Sequence, residues 1–259
     1  MTKTQKAAKN VIFSTGGYFL QLILSLVVRI YFVKYIGREY LGLNSVYASI
    51  LSMLSIADLG LDTVFVYLLY KPLKEYNYSV IKGVLNLYKI VYRYIALFIL
   101  IVGVSLIPFL PKIIGHSSSL TGVYSIYFLY LINAIVGYLN AYNRSLLIAD
   151  QNGYVVNGLT SGFIVIVDTV QIFQIIFFPN PIIYMIIQVI GTILTNVIIT
   201  YVVNRRYSRV VHHSAAKLDS NMRRTLIHNG VGGISNKIGS IIVISSDNVL
   251  LSIFTNLVT

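Results

Sequence analysis

The sequence predicts an all-α, polytopic membrane helical bundle, on three observations. Hydrophobic residues make up 56% of the 259 positions, charged residues 11%, and mean hydropathy is +0.77, far from the composition of a water-soluble domain. Apolar runs recur at the length of about 20 residues that a helix needs to cross the hydrocarbon layer. Most of the basic residues fall between those runs, mostly on alternate sides.

Six segments meet the length requirement: residues 11–35, 41–70, 84–106, 123–148, 155–178 and 181–203. A seventh begins near Gly230 and runs to the last residues. No ten-residue alternation argues for a barrel. Lys3, Lys6 and Lys9 ahead of an apolar run resemble a secretory leader, but residues 11–33 far exceed the roughly 7–15 of a leader's apolar core, and no small-residue cleavage site follows. The first segment therefore reads as a retained span.

Orientation follows from the loops. One side carries Lys3, Lys6 and Lys9, then Lys71, Lys74 and Lys82, then Arg144, then Arg205, Arg206, Arg209, Lys217, Arg223 and Arg224. The other carries Lys34, Arg38 and Lys112, with the HSSSLTG turn and the uncharged turn at residues 179–181. The excess places the amino terminus in the cytoplasm. It also accounts for the formal charge of +12 without nucleic acid, which is not an expected partner. The connection 204–229 is the longest and most basic; Asp219 or Ser220 would cap a short surface helix, NMRRTLIH, ending at Asn229-Gly230. The expected organisation is a six-helix lobe (1–203), a basic cytoplasmic linker (204–229) facing membrane lipids, and a seventh span (230–259).

Ionisable groups inside the apolar runs are the candidate functional residues, because each costs about 2.5–3.5 kcal/mol at a helix centre and normally faces a bundle interior. Arg29 lies about 27 Å along the first span, near its outer end, and Asp58 about 24 Å down the second, toward the inner side. They are thus predicted at opposite ends of a shared cavity rather than paired. Arg29 either snorkels outward with Lys34 or holds a phosphate or diphosphate in bidentate fashion. Asp58, with Asp62 one turn on, either titrates, pairs with a cation, or holds the bundle together. Asp168 lies midway along the fifth span beside Thr169 and Gln171, and Asp247 midway along the seventh. With Asp58 and Asp62 they are the candidate coupling or gating acids.

Arg144 and Asp150 are expected to close the inner end of the fourth span, where the positive-inside bias explains the arginine. Asn133, Asn140 and Asn143 recur at helical spacing on that span, and Gly158 and Gly162 form a GxxxG that indicates close packing. The four histidines (His116, His212, His213 and His228) form no ligand motif, there is no cysteine, and neither a Walker loop nor GxSxG occurs. No cofactor, metal or catalytic residue is expected.

Arg29, the turn Ile36-Gly37-Arg38-Glu39-Tyr40-Leu41-Gly42-Leu43 and Asp58-Leu59-Gly60-Leu61 together resemble the amino-terminal region of bacterial polysaccharide flippases. Those O-antigen and capsule-repeat-unit transporters belong to the multidrug/oligosaccharidyl-lipid/polysaccharide exporter superfamily. SDNVLLSIFTN in the seventh span resembles the opening of their second lobe. The resemblance implies a MATE-like fold of two lobes, of which this chain would supply one lobe and the first helix of the other, as a fragment. It further implies a flippase of the bacterial cell membrane, not an enzyme. Its cargo would be undecaprenyl-diphosphate-linked oligosaccharide, moved to the outer leaflet by rocking of the lobes. Arg29 would contact the diphosphate or acidic sugars, and a polysaccharide polymerase and glycosyltransferases would be partners. The competing expectations are an ion-coupled multidrug antiporter of the same superfamily, and a membrane-embedded glycosyl- or acyltransferase.

Overall fold

A computed structural model describes residues 3–54, 61–114 and 120–216. Asp58, Asp247, His116, His228, the NMRRTLIH segment and the seventh span lie outside the described residues. Ten α-helices and no strand occur among the described residues: α1 Lys3–Tyr35, α2 Arg38–Leu54, α3 Leu61–Lys74, α4 Tyr78–Ser105, α5 Leu110–Ile114, α6 Val123–Leu139, α7 Ala141–Ala149, α8 Gly153–Phe177, α9 Pro181–Arg206 and α10 Ser208–His212. A 3-10 turn, Ile107–Phe109, joins α4 to α5 at Pro108. This is the expected all-α membrane bundle.

Four stretches among the described residues are single spans by length and apolarity: Thr15–Tyr35, Tyr78–Ile114, Gly153–Phe177 and Pro181–Arg206. Helices α6 and α7 meet at 41° and satisfy the same test together. The predicted second span is occupied by α2 and α3, one on each side of residues 55–60.

Local chemistry sets the boundaries. The α1–α2 turn passes through Gly37 at φ +117°, a left-handed conformation that glycine adopts without Cβ strain. Asn77 caps α4 by accepting from the Val80 amide at 3.2 Å, so the helix starts at Tyr78, six residues before the apolar run does. Lys82, assigned by the sequence to a loop, therefore sits in the second turn of α4. Asn180 accepts from the Ile182 and Ile183 amides, with Pro181 at the first helical position, where its missing N–H is harmless. At the far end α9 runs on through Arg205 and Arg206, whose charges suit a helix C-terminus.

Helix α1 packs along α8, α8 and α6 on α9, α4 on α6, and α3 on α7. The largest core cluster lies among α3, α4 and α7, around Phe65 stacked on Tyr88 at 4.1 Å. A second, at the predicted outer end, holds Leu43, Tyr47, Leu110 and Tyr127. Lipid offers apolar side chains nearly as good a home as the core does, so packing and hydrogen bonds carry much of the cohesion. The tyrosines supply both: Tyr47 donates to the Val123 carbonyl at 3.1 Å and Tyr127 to that of Gly103 at 2.8 Å.

Candidate functional site

Polar residues on α1, α6, α8 and α9 converge on an open cavity of about 450 Å³. Each helix contributes at helical spacing: Gln21 and Ser25 from α1; Asn133 from α6; Thr160 and Asp168 from α8; Gln188, Thr192 and Thr195 from α9. Residues four apart share a helix face, so these stripes follow from the sequence once the helices pack. Gly191 on α9 takes the close approach of Val167, and Gly17 on α1 that of Ser161. Gly162, by contrast, has open space where a Cβ would stand.

Two neighbouring cavities extend this one. A smaller space of about 190 Å³ shares Ser25 and Asp168 with it and adds Arg29, Asn44, Ser45 and Tyr184. Another of about 430 Å³ shares Gln21, Arg144, Thr160 and Ile164 and adds Tyr18 and Asn157. Arg29 thus lies on the smaller lobe, toward the predicted outer end, and Arg144 on the larger. Asp168 lines the space between them. Arg29 and Asp168, distant in sequence, share one pocket.

Arg144 owes its position to the bend between α6 and α7. Asn140 at the junction has φ −121° and ψ 13°, and its amide turns to the Tyr138 carbonyl instead of one four residues back. The Val136 carbonyl accepts from the Asn196 amide nitrogen of α9 at 2.9 Å. The Asn196 side-chain oxygen in turn accepts from Arg144 Nη2 at 2.6 Å. Asn143 donates to Thr200 at 2.9 Å, stapling α7 to α9 a second time. Among the described residues Arg144 Nε is buried without a hydrogen-bond partner, while the Arg144 side chain lines the cavity. Broken helices commonly line transporter binding sites, because freed backbone groups are tolerated only beside protein or water.

The sequence assigned Arg144 to closing the inner end and to topology. In the structure Asp150 does the closing. It accepts from the Tyr207 hydroxyl at 2.8 Å and from the buried Asn152 amide at 2.6 Å, while Arg206 donates to Asn152 Oδ1 at 2.9 Å. Burial pushes the Tyr207 phenol above its usual range, with Asp150 adding to the effect, which keeps the hydroxyl a donor. Asp62 accepts from Ser145 Oγ at 3.1 Å, and its charge also acts on Arg144. Lys34 sits beside the Tyr35 ring at 5.3 Å. Asn133 accepts from Thr192 at 2.7 Å on the cavity wall, and Asn140 occupies the helix break.

Among solved structures, the chain is similar to an outward-facing multidrug resistance MATE family transporter of the MOP superfamily, with TM-score 0.57 and 16% identity. The match covers 94% of this chain and 55% of that one. The chain has a MATE-transporter fold. It spans about half the length of the transporter it matches. No family model matches the sequence, and no curated protein is similar to it at a significant level. On α1, Phe19, Ile23, Leu26 and Ile30 are exposed, and Gln21 and Ser25 line the cavity. Among the described residues no group of His, Cys, Asp and Glu could hold a metal ion.

Proposed function

We propose that this chain forms the amino-terminal lobe of a flippase for lipid-diphosphate-linked oligosaccharide, the undecaprenyl-diphosphate class, moving repeat units to the outer leaflet of a bacterial cell membrane by alternating access. The amino terminus would lie in the cytoplasm. The observation that carries this reading is the cavity with an arginine at each end. A planar guanidinium meets phosphate oxygens in bidentate fashion, and Arg29 and Arg144 both line these cavities. Threonine, asparagine and glutamine between the arginines are the groups that hydrogen-bond sugar hydroxyls. Arg29 would meet the diphosphate or acidic sugars on the outer side, and Arg144 on the inner.

In this reading Asp168, between the two cations, is the gating or coupling acid among the described residues, with Asp62 acting through Ser145 and α7. Asp58 and Asp247 keep the coupling or gating role that the sequence suggests. A polysaccharide polymerase and glycosyltransferases would deliver or consume the cargo.

Asp168 also favours a second reading, the multidrug antiporter, since a carboxylate in an aromatic-edged cavity suits a cation. Export of surface polysaccharide in a strain dependent on this protein separates the two. Arg29→Ala and Arg144→Ala should each abolish export at unchanged membrane abundance. Unchanged export in both, together with robust efflux of cationic dyes, would overturn the flippase.

A further inference from the structure

Helix α4 carries a basic stripe that the cavity does not use. Lys82, Asn86, Lys89 and Arg93 follow one another at intervals of four, three and four residues, so they share one face. Where that face meets α7, α9 and α10, a small space of about 90 Å³ opens between Lys82, Asn86, Lys89, Tyr142, Asn204 and Tyr207, and no carboxylate among the described residues lines it. Lys82 is already fixed, donating to the Val211 carbonyl at 3.2 Å. Lys89 rests over the Tyr142 ring at 5.7 Å, a contact that leaves its ammonium hydrogens available to an acceptor. Arg93, one turn further and exposed, lies about 22 Å along the helix from Tyr78.

Cations at that depth on the outside of a bundle are unfavourable without a counter-charge. Beside them the same helix exposes Ile90, Tyr94 and Leu97, a surface that an acyl chain covers and a soluble anion does not. We infer that the Lys82–Lys89–Arg93 face of α4 binds the phosphate of an anionic phospholipid, with its acyl chain along Ile90, Tyr94 and Leu97. Basic pockets between spanning helices recognise lipid headgroups by this chemistry. The site is separate from the cavity and does not depend on the cargo proposed above.

Native mass spectrometry of the purified chain in detergent tests it, with phosphatidylglycerol and phosphatidylcholine added in equal amounts. Phosphatidylglycerol should be retained in preference, and Lys89→Gln with Arg93→Gln should lower its retention by about fivefold for each charge removed. Lys89→Arg should keep it, which separates charge from misfolding. Equal retention of both lipids would overturn the site, as would a double variant that holds phosphatidylglycerol like the wild type. Displacement by excess inorganic phosphate would assign the face to a soluble anion instead. A loss of the same size in Lys71→Gln with Lys74→Gln would reduce the preference to general surface charge.

Discussion

Arg144 and Ser145 are consecutive on α7, yet they belong to two regions with opposite polar economies. On the Ser145 side, toward α3 and α4, the hydroxyls are used up internally. Tyr88 and Ser145 share a hydrogen bond at 3.0 Å, Ser145 reaches Asp62 at 3.1 Å, and Phe65 and Tyr92 close over Tyr88. On the Arg144 side, toward α1, α8 and α9, Gln21, Thr160, Asp168 and Arg144 itself line the cavity. Polar groups that complete one another hold a membrane bundle together. Polar groups that line a cavity are what a cargo can engage.

Substitutions on the two sides should fail differently. Phe65→Ala, in the closed region, should have the largest effect on stability. It removes a fully buried ring and leaves a cavity, costing about 3 kcal/mol, the lower end of the range for such truncations because lipid rather than water receives the exposed surface. Thermal unfolding in detergent would register it, while export per folded molecule stays unchanged. Arg144→Ala, one residue from that region, should do the reverse, cutting export more than tenfold at near-normal abundance. Arg144→Lys should recover only part of it, since a lysine keeps the charge but not the fork. If Arg144→Ala lowers abundance as Phe65→Ala does, the distinction between the two sides fails.

Asp168→Asn sharpens the comparison within the open region. It should reduce export severalfold with abundance intact, and dye efflux unaffected by the change would count against the antiporter. The smallest effect should come from Tyr127→Phe, which deletes the hydrogen bond to the Gly103 carbonyl. It should lower stability by about 1 kcal/mol and leave transport alone.

The bundle was legible in the sequence because span length and loop charge are one-dimensional signals. Span edges were less so. Asn77 starts α4 six residues before its apolar run and thereby draws Lys82 into the helix. The stripe Gln21, Ser25, Arg29 on α1 and the stripe Gln188, Thr192, Thr195 on α9 were there to be read at helical spacing. What spacing does not give is which stripes face each other, and so Arg29 and Asp168 could not be assigned to one pocket. The place of Arg144 on the cavity was hidden for a different reason. The positive-inside pattern explains any arginine near an inner span end, and only the bend at Asn140, with Asn196 across it, turns this one into the cavity.

The central claim is that the space between α1, α6, α8 and α9 is water-accessible and favours anions, whereas the α3–α4 side is closed. The sequence contains no cysteine, so single cysteines can be placed at will. Thr160→Cys, beside Arg144, and Ala96→Cys, buried on α4, would be compared for their rates of reaction with methanethiosulfonates of negative and positive charge. The account predicts that the cysteine at position 160 reacts readily and faster with the negative reagent, that Arg144→Ala removes this preference, and that the one at position 96 stays inert. Equal reactivity at both positions, or faster modification at 160 by the positive reagent, would contradict it.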